Sequence, residues 1–351
     1  MSKSKCIFSS VALIAVLFAL AACGVASTVS EPPASTEQPA GDPVETAYET
    51  PEFTLKFANS WNTGENWENV QLKKVVEMTK ELTNGRVAIE IVGGPELFPP
   101  TETAQAVADG LVDGCMTTCG YYAGLVPEAY AMSGAVTNAE LAKREGAIEA
   151  LQDAHAQHNL HVWFFLEEEY EPYVIFTKKQ VANLDDLAGL RLRTPAGVCS
   201  AIATELKATP VTLPQSDVYS ALEQNLIDGI VTSGLQVAFQ SHFNFLKCGV
   251  LPGFLRGGLD YLINEDVWNS FPDDLKVTMN EISLEINAEL ARMDKERFEE
   301  TYVILEEEGG TAVTLSDEDN ARLQQMAYDA AWNHTIQQNP EKGEMLKELL
   351  G

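Results

Sequence analysis

The chain is poor in basic residues, with 23 Lys and Arg against 52 Asp and Glu, and its formal net charge at pH 7 is −29. Binding to phosphate backbones needs a basic surface, so nucleic acid is not expected to be a partner. The chain also lacks a Gly-x-Ser-x-Gly sequence, and its five histidines carry no catalytic signature. A hydrolase needs a nucleophile with a supporting base. An exported hydrolase is therefore a weak alternative, and no catalytic residue is predicted.

Long apolar runs are scarce as well, and the longest lies at the N-terminus. The stretch from Ile7 to Ala22 follows Lys3 and Lys5. It is too short for a bilayer-spanning helix, which needs about 20 residues, and a short apolar run after basic residues is typical of a secretory signal. The run ends in Leu-Ala-Ala-Cys-Gly, which resembles a lipobox. Residues 1–22 are therefore predicted to be a lipoprotein signal peptide that ends before a lipidated Cys23, and an ordinary signal peptide with a chance cysteine is the alternative.

The segment after Cys23 has few bulky apolar side chains and is rich in Pro, Ser, Thr and Glu. Such a composition cannot bury a core. Residues 23–50 are therefore predicted to be the lipidated cysteine and a flexible linker. We expect the folded part of the protein to be periplasmic or otherwise extracytoplasmic, and to be anchored to the membrane by lipid.

Few cysteines remain once Cys6 is removed with the signal and Cys23 is assigned to lipid. An exported protein could oxidise the others, although buried small side chains are the simpler interpretation. These four residues are Cys115, Cys119, Cys199 and Cys248. The spacing of the first two is unusual for zinc, and the histidines at 155, 158 and 161 diverge around a helix. We predict no metal site and no cofactor.

Alternation of apolar and polar residues, followed by a helical pattern, recurs along the body of the chain. Residues 53–57 and 87–91 alternate as strands do, and the apolar helix face between them ends at Asn84-Gly85, because Gly tolerates the left-handed cap. The same rhythm returns as strands at 173–177, 190–193 and 211–213, with a helix at 199–207. Repeated β-α-β units predict an α/β fold with parallel strands.

An internal duplication is more informative than this rhythm. Residues 98–118 and 213–233 align at a constant offset. The identical pairs are Pro99 and Pro214, Ala106 and Ala221, Leu111 and Leu226, Asp113 and Asp228, Gly114 and Gly229, and Thr117 and Thr232. Each copy is predicted to hold a helix capped by Thr101 or Ser216, a turn, and a short strand entered through Asp-Gly. Two similar lobes in one exported chain indicate a hinged clamp with ligand in the cleft between them.

The longest helical pattern runs from Asp273 to Glu308 and ends at Gly309-Gly310. As a single helix of more than about thirty residues, it would reach about 45 Å and could run across both lobes. The alternative is two ordinary helices with a break near Asp294.

Several segments in this order resemble the solute-binding proteins of TRAP (tripartite ATP-independent periplasmic) transporters, of the dicarboxylate-binding type. The resemblance covers about residues 53–330. The matching segments are Gly93–Leu97, Val112–Gly114, Gly120–Pro127, Leu187–Pro195, Asp217–Leu222 and Ile227–Gly229.

The resemblance implies a two-lobed periplasmic-binding-protein clamp, with crossover strands as the hinge and a long helix bridging both lobes. Lobe I would comprise residues 51–173 and about 255–285, and lobe II residues 174–254 and about 286–351. The resemblance also implies a small organic acid as ligand and its delivery to the subunits of a sodium-coupled, TRAP-type membrane permease. Service to a sensor or an ABC importer remains an alternative, as does a structural or adhesive lipoprotein.

Arg193 is the candidate for the carboxylate-binding residue. The resemblance places the ligand-clamping arginine at the second basic position of the Leu187–Pro195 segment, which is Arg193. Strand alternation puts Arg191 and Arg193 on one face and the two leucines on the other, with Arg193 at the carboxyl end, where open α/β sheets bind ligands. A guanidinium matches a carboxylate with two parallel hydrogen bonds. The alternative, a surface arginine that pairs with an acid, applies more readily to Arg191.

Two departures from related sequences narrow the ligand class. Tyr173 stands where sialic-acid-type relatives have a second arginine, and Thr232 where they have asparagine. Ile230-Val231 stands where keto-acid-type relatives have a Glu-Trp pair that holds a metal. We therefore expect a ligand with a single carboxylate and an apolar or aromatic body, bound without metal. The predicted ligand-binding residues are Arg193, Thr232, Tyr173, Gln215, Tyr121, Trp61 and Glu168, and core packing is the alternative role for the aromatic ones.

Overall fold

The structure is a computed structural model that describes residues 50–351 except 65, 135–143, 168–172, 196, 240 and 256–257. The predicted signal peptide, Cys23 and most of the linker lie outside the described residues. Glu168 does so too.

Two mixed β-sheets form the framework of the described part. The first sheet has the strand order β2-β1-β3-β10-β4, and the second has the order β11-β9-β5-β8-β6-β7. The strands are β1 Phe53–Asn59, β2 Val87–Gly93, β3 Gly114–Thr117, β4 Leu160–Glu167, β5 Tyr173–Thr177, β6 Arg191–Thr194, β7 Thr209–Thr212, β8 Gly229–Ser233, β9 Cys248–Leu255, β10 Gly258–Asn264 and β11 Thr311–Thr314. The predicted strands at 53–57, 87–91 and 173–177 are confirmed, and the other two predicted strands are displaced by one or two residues.

Helices cover the sheets, as expected for an α/β fold. They are α1 Trp67–Leu82, α2 Thr103–Ala108, α3 Cys119–Tyr122, α4 Ala131–Gly134, α5 Ala147–Ala156, α6 Val198–Glu205, α7 Val218–Glu223, α8 Gly234–Phe239, α9 Glu265–Ser270, α10 Asp273–Glu307, α11 Asp317–Gln338 and α12 Pro340–Leu350, with short 3-10 turns at Pro127–Tyr130, Leu184–Leu187, Gln215–Asp217 and His242–Asn244. Helix α1 ends as predicted, because Asn84 and Gly85 both take positive φ angles.

Parallel and antiparallel pairs coexist in each sheet. β1 pairs in parallel with β2 and β3, and β6 pairs in parallel with β7 and β8. β10 runs antiparallel to β3 and β4, and β5 runs antiparallel to β8 and β9. The antiparallel pairs follow from the chain crossing from one sheet to the other between β4 and β5 and returning between β9 and β10.

The predicted duplication is visible in the hydrogen bonds as well as in the sequence. The Asp113 carboxylate accepts the backbone N–H of Lys56 at 2.7 Å, and the Asp228 carboxylate accepts that of Arg191 at 2.9 Å. The glycine after each acid is the first residue of its strand and occupies a position where no side chain fits. A Cβ on Gly114 would lie 2.4 Å from the Phe57 ring, and one on Gly229 would lie 2.5 Å from the Phe176 carbonyl oxygen. The repeated Asp-Gly thus joins each short strand closely to its neighbours.

The predicted helix caps in the two repeats are wrong. Helices α2 and α7 begin after Glu102 and Asp217, and neither cap forms a side-chain hydrogen bond. A turn precedes each helix, in which the carbonyls of Pro99 and Pro214 accept the N–H groups of the two acids at 2.8 and 3.1 Å. This turn displaces Thr101 and Ser216 from the capping position.

Helix α10 is continuous over 35 residues, which corresponds to about 52 Å. The predicted single helix is confirmed, and the alternative of a break near Asp294 is wrong, since that residue lies inside the helix and is buried. The helix packs on α1 and β4 at the first sheet and on α8 and β11 at the second. It therefore bridges the two lobes of the clamp. Among the described residues no helix is both long and apolar enough to cross a membrane.

Apart from Tyr173 at the start of β5 and Leu255 at the end of β9, the strands of each sheet fall within the residues predicted for its lobe, while the C-terminal helices touch both. Helix α11 packs on α6 and β9 and also on α4, and α12 packs on α4 and α5. Trp332, Leu346 and Leu350 share a buried cluster with Leu151 of α5. The lobe bounds remain a prediction, and the last helix adds contacts to elements from the first lobe.

Candidate ligand-binding site

Strand ends from both sheets meet around a cavity of about 70 Å³. A wider cleft of about 870 Å³ shares several of its wall residues, among them Trp61, Tyr121, Arg193 and Gln215. Six of the seven predicted ligand-binding residues line the smaller cavity, and Glu168 lies outside the described residues. The six are Trp61, Tyr121, Tyr173, Arg193, Gln215 and Thr232.

Strand direction explains why these residues meet. Arg193 and Thr232 lie near the carboxyl ends of the parallel strands β6 and β8. Tyr173 begins β5, which runs antiparallel to β8, so its register partner is Ser233 at the end of β8. Trp61 and Tyr121 follow β1 and β3 on the first sheet. Open α/β sheets bind ligands at this edge.

Arg193 is only 4 % exposed. Its Nε and Nη2 donate to the Leu213 carbonyl at 3.1 and 2.9 Å, and Nη1 donates to the Val231 carbonyl at 3.4 Å. Burial lowers the pKa of this guanidinium, although a guanidinium stays charged in proteins. No Asp or Glu among the described residues forms an ion pair with it. Within the described part of the chain, this buried positive charge therefore forms hydrogen bonds with neutral backbone oxygens and with no acid.

Arg191 differs from Arg193 although it lies on the same face of β6. Its Nε and Nη2 donate to the two carboxylate oxygens of Asp228 at 2.9 and 2.8 Å, and its side chain is 42% exposed. The hydrogen bond from Arg191 lowers the pKa of Asp228 to about 2. The interpretation of Arg191 as a surface arginine paired with an acid is confirmed.

Two aromatic rings share the cavity wall with the arginine. The rings of Trp61 and Tyr121 are 5.8 Å apart at a tilt of 52°. Burial raises the pKa of the Tyr121 hydroxyl, the charge of Arg193 lowers it, and that of Glu68 raises it. Tyr121 therefore lies within electrostatic range of both a basic and an acidic group of the cavity.

Sequence reasoning missed three polar residues of the site. Glu68 in the first turn of α1 and Gln236 in α8 line the smaller cavity, and His242 lines the wider cleft. Burial, and secondarily Asp294, raises the pKa of Glu68 to about 8. Burial, and secondarily Arg193, lowers the pKa of His242 to about 4, so its ring is neutral at pH 7. An acid in the first turn of a helix is ordinarily a partner of the helix dipole, so no sequence signal separated Glu68 from that role.

The other candidate reactive groups lie in the core. Cys115, Cys119, Cys199 and Cys248 are buried and form no disulfide. Ile230 and Val231 are buried in β8. No group of three His, Cys, Asp or Glu side chains that could hold a metal occurs within the described residues.

Comparison with known proteins identifies relatives over most of the chain. Residues 57–338 match the sequence model of the bacterial extracellular solute-binding protein family 7. A monocarboxylate 2-oxoacid-binding periplasmic protein from Nostoc sp. is 24% identical over 311 residues, which cover 82% of this chain and 81% of that protein.

Solved structures show the same fold. A TRAP periplasmic solute-binding protein from Desulfovibrio salexigens with bound orotic acid superposes with a TM-score of 0.74 at 16% identity, over 84% of this chain and 96% of that chain. A Bordetella pertussis extracytoplasmic solute receptor binding pyroglutamic acid gives 0.70 at 17% identity, over 84% and 98%. A protein from Rhodoferax ferrireducens with bound malonate gives 0.72 at 16% identity, over 84% and 96%.

Proposed function

Because this chain belongs to family 7 of the bacterial extracellular solute-binding proteins, we propose that it captures a small organic acid between its lobes and delivers it to a TRAP-type secondary transporter. Its role is binding and transport, with no catalytic step. The relatives support the ligand class, since orotic acid, malonate, pyroglutamic acid and 2-oxoacids all carry a carboxylate.

Arg193 is the single observation that carries this proposal. A buried charge without a partner is costly, and a ligand carboxylate would supply the missing anion. A guanidinium has five N–H donors, of which three are engaged by Leu213 and Val231. Two N–H donors remain, and one carboxylate accepts two such donors in a bidentate pair.

The rest of the cavity supports a ligand with one carboxylate. Tyr173, at the position of the second arginine of sialic-acid-type relatives, adds no positive charge to the wall. Trp61 and Tyr121 offer ring faces to an apolar or aromatic body, and Thr232 and Gln215 offer side-chain hydrogen bonds. We propose that these residues bind the ligand together with Arg193 and that no metal takes part. Glu168 remains a prediction.

The proposed cellular setting is extracytoplasmic, in keeping with the family. Lipidation of Cys23 would hold the clamp at the membrane that contains the permease, and residues 23–50 would serve as a tether. The support for this anchor is the lipobox-like sequence that ends the apolar run before Cys23.

The test begins with the ligand that the protein retains after gentle purification. Mass spectrometry of the released molecule should identify a carboxylic acid. The purified protein should then drive sodium-dependent uptake of this acid into liposomes that contain the cognate permease, and heat-denatured protein should not. A ligand without a carboxylate would contradict the binding proposal, and uptake that needs ATP would contradict the transporter class.

A further inference from the structure

The cavity that contains Arg193 also has a second polar wall, formed by Glu68 and Gln236 and here called the pole. Glu68 comes from α1 of the first lobe and Gln236 from α8 of the second, and both helices pack against α10. Glu68 is 2 % exposed, and neither of its carboxylate oxygens forms a hydrogen bond to another described residue. The Oε1 atom of Gln236 is buried and also lacks a partner among the described residues. Three acceptor atoms from two lobes are thus left for a molecule in the cavity.

This pole is separate from the arginine. Arg193 and Glu68 form no ion pair with each other, and Tyr121 interacts electrostatically with both. Asp294 lies close enough to Glu68 to raise the pKa of its carboxyl group. Its Oδ1 accepts Trp67 Nε1 at 2.6 Å and Gln71 Nε2 at 2.8 Å, while its Oδ2 is buried without a partner among the described residues. A group that enters this pole therefore meets acceptor atoms, whereas the arginine end offers donors and positive charge.

Taking the proposed carboxylate function as given, we propose that Glu68 is a second ligand-binding residue and that the ligand is an amine-bearing carboxylic acid, whose ammonium group is received by Glu68 and Gln236. An ammonium group has three N–H donors, which equals the number of unpartnered acceptor atoms on Glu68 and Gln236, the two residues of this pole that line the cavity. A protonated Glu68 that donated one hydrogen bond to a neutral ligand would leave its other oxygen and the Gln236 oxygen without partners. Buried polar groups are rarely left so.

The electrostatics of Glu68 agree with this geometry. Its raised pKa means that the empty site holds the carboxyl group protonated at neutral pH. A ligand cation favours the ionised form of a nearby carboxyl group. A zwitterion that spans the cavity would neutralise both buried poles at once.

Matched ligand pairs that differ only in the amine test the proposal. The probes are 4-aminobutyrate and butyrate, L-alanine and propionate, and L-phenylalanine and 3-phenylpropionate. Each is titrated calorimetrically into wild type, Glu68→Gln, Arg193→Ala and the control Glu90→Gln, which replaces an exposed acid on β2. Glu68→Gln keeps the size of the side chain and removes a buried acid, so we expect it to fold, and a thermal melt verifies this.

We expect wild type to bind at least one amine-bearing acid tighter than its partner without the amine by about thirtyfold or more, the range for a buried charge pair. Glu68→Gln should abolish this preference, and Glu90→Gln should retain it. Equal binding of both members, a preference that survives in Glu68→Gln, or a panel in which no amine-bearing acid binds would each overturn the inference. If acids without amines bind wild type as tightly as their amine-bearing partners and weaken in Arg193→Ala, the inference fails while the proposed function stands. If binding is unchanged in Arg193→Ala, the proposed carboxylate site fails instead.

Discussion

Replacing Arg193 by alanine tests the carboxylate site most directly. The substitution removes a guanidinium that is 4 % exposed, together with its hydrogen bonds to Leu213 and Val231. In the ligand-bound state it would leave a carboxylate in the cavity without its cation. Truncating one member of a buried charge pair costs about 2–5 kcal/mol, which corresponds to a loss of affinity of about 30-fold to several thousand-fold.

The stability of the empty protein should change far less than its affinity. Alanine leaves two carbonyl oxygens without the guanidinium, but it also removes a buried cation that no described acid neutralises, and these effects oppose each other. Arg193→Lys should restore affinity only in part, because an ammonium group is a point charge and cannot reproduce the planar fork.

Arg191→Ala is the matched control on the same strand. It breaks an exposed pair with Asp228 and leaves the cavity wall intact. The assay is calorimetric titration of the three variants with the ligand released from the native protein, beside thermal melts with and without ligand. If Arg193→Ala binds within about threefold of wild type, which is less than about 1 kcal/mol, the carboxylate is held elsewhere and the site assignment is wrong.

Four further predictions concern other parts of the protein. Gly229→Ala should lower the free energy of unfolding by about 1–3 kcal/mol in denaturant titrations, because its Cβ would lie 2.5 Å from the Phe176 carbonyl oxygen; an unchanged midpoint would contradict the close packing. Burial raises the pKa of Asp260 to about 8 from an ordinary value of 3.8, so its contribution to stability is greatest below about pH 4 and falls as pH rises to about 8. The melting temperature of Asp260→Asn should therefore rise relative to that of wild type as the pH increases from about 4 to about 8. A difference in melting temperature that stays constant over this range would refute the pKa shift. Cys23→Ser should move the mature protein from the membrane fraction to soluble export or unprocessed precursor, and a wild-type protein that is soluble and free of lipid would refute the anchor. Extensive chelation should leave ligand affinity unchanged, whereas recovery of affinity only with added calcium or zinc would refute metal-free binding.

Much of the fold was predictable because its signals are local. Alternation over residues 53–57 and 87–91 fixed two strands, and the repeated Asp-Gly marked the start of β3 and β8. The strand order was not predictable in this way. The antiparallel placement of β10 beside β3 depends on where the chain returns from the other sheet, which no local pattern records.

The residues of the site were likewise predictable only in part. Arg193 was predictable from the family resemblance and from its place at the carboxyl end of a strand, whereas Thr232 and Tyr173 were predicted from the resemblance alone. Glu68 and Gln236 lie on helices, and whether a helical side chain enters the cavity depends on how α10 packs against α1 and α8. The wrong caps at Thr101 and Ser216 have a related cause, since turns that begin at the repeated prolines moved the helix starts.

The position of a side chain along β6, more than the face it occupies, separates a structural arginine from a binding one. Arg191 and Arg193 share a face, but two residues of strand set them about 6–7 Å apart. Arg191 lies at the amino end, where the acid of the Asp-Gly repeat accepts both its backbone N–H and its guanidinium. In the first lobe the equivalent Asp113 accepts the backbone N–H of Lys56 in the same way. In the second lobe the acid of the duplicated unit thus neutralises Arg191, and no described acid forms an ion pair with Arg193, so the charge of Arg193 is left for the ligand.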